Sequence, residues 1–182
     1  MKFLLSWVSG RGKVRRKAFH YIRLSESRQP GRRMIGEGAA TQPVVVLDTN
    51  VVLDWLLFQD PGATALRMAL RDGQLRWVAS ARMREEFRRT LQHGALGKWR
   101  PDSERLLTLF DRHATLLPDP APAPLRLRCD DTDDQVFIDL ALASGARWLL
   151  SHDKALLRLR RRVPASGPLI CRPREWPELG QP

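Results

Sequence analysis

Cysteine is scarce in this chain. Cys129 and Cys171 are the only two, they stand far apart, and neither belongs to a Cys-x-x-Cys pair or has a histidine at ligand spacing. A disulfide framework and a structural zinc site are thereby excluded. Long apolar runs are missing as well. No stretch is long enough to span a bilayer, and the opening Phe3-Leu4-Leu5-Ser6-Trp7-Val8 is too short for a span and lacks the cleavage region of a secretory signal. Internal repeats are absent. Together these gaps predict a cytoplasmic chain with no membrane partner.

What is present is a chain of 182 residues, 43% hydrophobic, enough for one domain with a real core. Its net charge of +11 is unevenly spread. The first 40 residues hold ten Lys/Arg and two Glu, a net of +8, while the other 142 come to only +3. Residues 1–42 mix Arg, Lys, Ser, Gly and Pro without a sustained apolar period and read as a basic, flexible extension. Residues 43–178 read as the globular domain. There strand candidates (Val44–Leu47, Leu75–Ala79, Ala114–Leu117, Arg147–Ser151, Leu169–Arg172) alternate with helix candidates near Val51–Phe58, Gly62–Asp72, Ser80–Gln92, Asp102–Arg112, Asp133–Ser144 and Asp153–Arg160. Such βα alternation predicts an α/β fold in three layers, α/β/α, around a central, mostly parallel sheet of about five strands. Pro118 to Pro124 reads as a stiff extended connector.

Val44, Val45, Val46 and Leu47 run straight into Asp48-Thr49-Asn50, and a carboxylate at the exit of a buried strand is costly unless something binds it. The crevice beyond the carboxyl ends of parallel strands is where open α/β folds carry their sites. Asp48 therefore has two readings, a site residue or a helix cap. Downstream, Met83, Phe87 and Leu91 form an apolar stripe; Glu86 lies roughly 100° from its centre and Glu85 roughly 160°, which turns Glu85 to water. Thr132-Asp133-Asp134-Gln135 fits a capping box that places both aspartates in a first helical turn, with Asp134 within about 15° of the stripe formed by Phe137, Ile138 and Ala141 and Asp139 on the far face. Asp130 and Asp131 precede this cap in a loop. Trp148-Leu149-Leu150-Ser151 repeats the first pattern, a strand running into an acid, Asp153, which also suits a cap. Asp48, Glu86, Asp134 and Asp153 would thus converge at one sheet edge. Repulsion among carboxylates so placed raises their pKa values and destabilises the fold, and a hard divalent cation resolves the conflict. An all-oxygen set without His or Cys selects Mg²⁺ or Mn²⁺ over Zn²⁺.

These residues resemble the PIN domain and, more narrowly, the VapC-like toxin ribonucleases of bacterial toxin–antitoxin modules, over about Val44 to Trp176. Val44 to Leu53 resembles the family's opening strand and first acid, Asp48, with Asn50 in a polar supporting position; Ser80 to Leu91 resembles the second motif and selects Glu86. Asp130 to Ala141 resembles the third motif and selects Asp134; Leu149 to Leu157 resembles the fourth, with Ser151 standing where Thr is commoner, His152 where a small residue is frequent, and the acid at Asp153. The resemblance implies a metal-dependent endoribonuclease with these acids as catalytic residues and metal ligands, Asp48 and Asp134 foremost. It also implies an RNA substrate and a small cognate antitoxin, and allows a homodimer. Arg88, Arg89, His93, Lys98 and Arg100, which follow Glu86, offer charge for RNA phosphates or else form a solvated basic face. Two other readings stand beside this one: a catalytically inactive PIN-like RNA-binding module, and a haloacid-dehalogenase-like phosphohydrolase. The second carries another Asp two residues after its first-strand nucleophile, where this chain has Asn50.

Overall fold

The computed structural model describes residues 42–124 and 127–176. The basic extension assigned to residues 1–42 lies outside them except for its last residue, as does the end of the domain at 177–178. Five parallel strands, β1 (Val44–Leu47), β2 (Arg76–Ser80), β3 (Ala114–Leu117), β4 (Trp148–Leu150) and β5 (Leu169–Cys171), form one sheet in the order β3-β2-β1-β4-β5. Helices α1 (Thr49–Leu53), α2 (Thr64–Arg71), α3 (Ala81–Leu91), α4 (Ser103–His113), α5 (Gln135–Ala143) and α6 (Lys154–Leu159) connect them and cover both faces. The expected three-layer architecture and all five strands are present, each within a residue of its expected bounds.

The central strand is β1, whose four residues are all buried. From it the chain walks outward through β2 and β3, then crosses back to place β4 on the other side. That reversal opens a crevice at the carboxyl ends of β1 and β4, the topological switch point of the sheet. Register fixes the two strand ends level with one another: Leu47 pairs with Leu150, and the Asp48 amide donates to the Leu150 carbonyl at 3.0 Å. Aromatic side chains fill the core beneath. Trp77 stacks edge-on against Phe110 at 4.6 Å between centroids, and Phe87 lies against Phe110 at 5.4 Å. These contacts hold α3 and α4 to the sheet, so the Met83, Phe87 and Leu91 stripe faces inward as its period requires.

Three local expectations need correction. The capping box at Thr132–Gln135 does not form: α5 begins at Gln135, Asp134 is its cap residue without a capping side-chain bond, and the Gln135 amide instead reaches the Cys129 N–H (2.7 Å) and the Leu127 carbonyl (3.4 Å). Tertiary partners outcompete the local one, and Asp134 consequently stands just before the helix, not inside its first turn. Asp139 is on the far face but not in water, because the proline connector lies over it and the Ala123 N–H donates to its carboxylate at 2.7 Å. The helix after β1 also widens into a π-helical turn over Asp54–Phe58 and ends at Gln59, whose φ of 50° is left-handed. Cys129 and Cys171 are buried and unbonded to each other, and burial pushes their thiols up to about 11 and about 12. Among the described residues, no helix is long and apolar enough to cross a membrane.

Candidate active site

β1 delivers Asp48 to the crevice almost fully buried, at 2% exposure, with its backbone turned out of the helical region so that it also caps α1. Cap and site residue are therefore the same side chain. One carboxylate oxygen accepts from the Asn50 N–H at 3.4 Å, and the other accepts from the Ser151 hydroxyl at 2.6 Å. Ser151, wholly buried at the exit of β4, accepts in turn from the Asp153 N–H at 2.8 Å. Asp153 spends its Oδ1 on the N–H groups of Ala155 and Leu156 at the start of α6. The hydroxyl that stands in place of the commoner Thr thus ties the first acid to the fourth. Beside them His152 Nε2 lies 2.6 Å from the buried Asp54.

α3 contributes Glu86, which accepts from the Thr49 hydroxyl at 2.9 Å and so is tied to the residue after Asp48. Its neighbour Glu85 is gripped by Arg88 at 2.7 Å and Arg89 at 2.9 Å. Glu86 is the more desolvated of the two, but Glu85 is not turned to open water as the helical wheel predicts: it is half-buried at the rim of the same cleft, where Arg88 and Arg89 hold it. At the other doublet Asp134 is half-buried and Asp133 exposed.

All four candidate acids line one cleft of about 270 Å³, together with Thr49, Asn50, Asp131 and Asp133 on the acidic side and Arg82, Glu85, Arg89 and His93 along α3. Burial, reinforced by the charge of Asp48, raises Glu86 to about 7; burial, then the charges of Asp48, Asp153, Asp131 and Glu86, raises Asp134 to about 8. Asp48 is also raised, chiefly by burial, against the hydrogen bonds from Ser151 and Asn50 that favour its charged form. By contrast Arg88 and Arg89 pull Glu85 down to about 2. Carboxylates that are desolvated, mutually repelling and within one cleft are in want of a cation. Among the described residues, no three His, Cys, Asp or Glu side chains stand close enough to clasp a metal directly. The donors nonetheless fit one: they are all oxygen, and Asn50 Oδ1 in the same cleft is buried with no hydrogen-bond partner.

The basic residues expected to meet RNA divide. Arg89 and His93 border the cleft; Arg88 is committed to Glu85 and Gln92, and Lys98 and Arg100 lie on the short helical turn beyond α3, outside the cleft lining. Arg82 borders the cleft too, although it precedes Glu86 and so stands outside the basic run that follows it in sequence. One turn of helix before Glu86 returns to the same face, and that spacing would have found it.

No curated protein matches the chain. One solved structure, VapBC2 from Rickettsia felis bound to a DNA fragment from their promoter, aligns at 14% identity with a TM-score of 0.49, covering 70% of this chain and 96% of that one. The PIN domain family model matches residues 44–155, a span that begins at β1 and ends just past Asp153. That match removes the haloacid-dehalogenase-like reading. With the parallel sheet, its switch-point cleft and the acids at its edge, this chain belongs to the PIN domain family, a family of nucleases.

Proposed function

We propose that this PIN domain is a metal-dependent endoribonuclease that hydrolyses RNA phosphodiester bonds, acting in the cytoplasm as the toxin of a toxin–antitoxin module. The observation that carries the chemistry is the gathering of Asp48, Glu86, Asp134 and Asp153 from four separate elements into one cleft, with Glu86 and Asp134 raised to about 7 and about 8. Asp48 and Asp134 would hold a Mg²⁺ or Mn²⁺ ion, with Asp153 supporting it from the cap of α6. A cation so held would supply a water of lowered pKa and charge to offset that building on the leaving oxygen. Glu86, with Oε1 engaged by Thr49, presents its other oxygen to the attacking water and takes its proton, a role suited to a group near neutrality. Ser151 holds Asp48 in orientation by donating to it.

The toxin role rests on the motif resemblance. A small antitoxin would lay an arm across the acidic side of the cleft and bring an Arg or Lys to the carboxylates, displacing the metal. The nuclease reading is tested by incubating the chain with RNA. Fragments form with Mn²⁺ or Mg²⁺, vanish with a chelator, and do not form with Asp48→Asn. RNA left intact by the parental chain across both ions overturns it. Co-purification with the product of an adjacent small gene, and relief of toxicity on co-expression, tests the partner.

A further inference from the structure

One side of the cleft is acidic and cannot seat a polyanion unaided, so the donors on the opposite side decide how a nucleic acid lies. That side is α3. Arg82, Glu86 and Arg89 recur at helical spacing along its cleft face, and His93 continues the line two residues past the helix end. Arg82 stands one turn, about 6 Å along the axis, before Glu86.

The cations of α3 are not equivalent. Arg84 makes a two-pronged pair with Asp111 at 2.6 and 2.7 Å, and Arg88 and Arg89 are both held by Glu85. Arg82 is exposed, borders the cleft and has no ion pair among the described residues. Its guanidinium is available for a fork of hydrogen bonds to a phosphate. His93 is committed in a different manner: its Nδ1 accepts from the Ala95 N–H at 3.2 Å, capping the next turn. A nitrogen used as acceptor leaves the ring proton on Nε2, so Nε2 is a donor.

We propose that Arg82 and His93 are the phosphate seats of this site. They receive the linkages on either side of the scissile one, Arg82 before Glu86 along α3 and His93 beyond it, so that the RNA backbone runs along α3 across the acidic cluster. This rests on the nuclease reading above, and the following experiment separates the two.

Binding of a fluorescent single-stranded RNA to full-length chain carrying Asp48→Asn is followed by anisotropy across a salt series, with Arg82→Ala, His93→Asn or Arg105→Ala added. Asn keeps an acceptor for the Ala95 N–H, so His93→Asn removes the reach into the cleft and not the cap. Arg105 lies on the exposed face of α4 and serves as control. Arg82→Ala is expected to weaken binding about tenfold and to lower the salt slope by about one, and His93→Asn to weaken it severalfold. RNAs carrying one uncharged methylphosphonate linkage, moved stepwise, then locate each seat. The Arg82→Ala penalty should vanish at one linkage and the His93→Asn penalty at another, on opposite sides of the parental cut. Penalties no larger than that of Arg105→Ala, or both vanishing at one linkage, overturn the proposal. A parental chain that cuts RNA while both variants bind normally leaves the nuclease standing and removes the seats. Binding with the expected pattern but without any cleavage does the reverse. No RNA binding at all removes both.

Discussion

Glu85 and Glu86 are adjacent on α3 and both border the cleft, yet one is held near 2 and the other near 7. A rotation of about 100° separates them. For Glu85 the helix supplies its own counter-charges three and four residues on, Arg88 and Arg89, and the acid is satisfied locally at the rim. Glu86 is turned instead toward Asp48 and Asp134, and among the described residues the Thr49 hydroxyl is its one side-chain hydrogen-bond donor. Local pairing completes a surface; the same residue type left short of partners, inside a cleft, is prepared to bind something else.

The sharpest way to break that contrast is to neutralise the cleft. Asp48→Asn and Asp134→Asn should each reduce RNA cleavage a hundredfold or more, since metal-centred stabilisation is worth several kcal/mol. In the metal-free state both should melt no lower than the parent, because the replaced groups are destabilised when charged, while the rise in Tm caused by Mn²⁺ should be lost. A folded variant with parental activity would end the assignment.

Next in size is the direct exchange between the two glutamates. Glu86→Gln should cost about a hundredfold in kcat, the low end of what a proton acceptor contributes, and Glu85→Gln less than about twofold, as for a surface pair. Reversed sensitivities would mean that Glu85 is the working acid of α3.

A third effect is read in pH. Glu86 and Asp134 have folded values above their ordinary ones, so between about pH 4 and about pH 8 the folded chain holds more protons than the unfolded one. Their contribution to stability is full below about pH 4 and is lost as pH rises toward 8. Glu85 works oppositely, its contribution being present above about pH 4.5 and lost as pH falls through about 2. The Tm of the metal-free chain should therefore decline from about pH 5 to about pH 8, less steeply with Glu86→Gln or Asp134→Asn, and Mn²⁺ at the upper end should restore it. A flat profile would show that these two carboxyls do not carry the burial attributed to them. Smallest is Ser151→Ala, which leaves every acid in place but frees Asp48. A loss of a fewfold in kcat with little change in the overall fold is expected, measured by steady-state cleavage and a thermal melt.

Much of this was legible in the residues, and the limit has a physical form. Strands declared themselves because Val44 to Leu47 and Trp148 to Leu150 are unbroken apolar runs, and Glu86 was separable from Glu85 because a helix has a fixed period. Failures occurred where a side chain answers to a distant partner. Gln135 matches a capping pattern three residues back, but its amide bonds the Cys129 N–H instead; Asp139 reads as lying on the far face, and no local pattern shows that the proline connector crosses it there. Arg82 has a regular spacing to Glu86, but its place at the cleft depends on which face of α3 fronts the acids, and that only the packing decides. The π-helical turn at Asp54–Phe58 leaves no periodic trace at all.

The bond from Ser151 to Asp48 joins residues 103 positions apart, and that distance sets a schedule. A chain made from its N-terminus at about 5–20 residues per second exposes Asp48 roughly 5–20 s before the segment that must hold and complete its site. Until β4 docks beside β1, the first acid has neither its hydroxyl nor its fourth companion. The cleft is therefore completed late: through most of its synthesis the chain carries the first acid without the rest of its site.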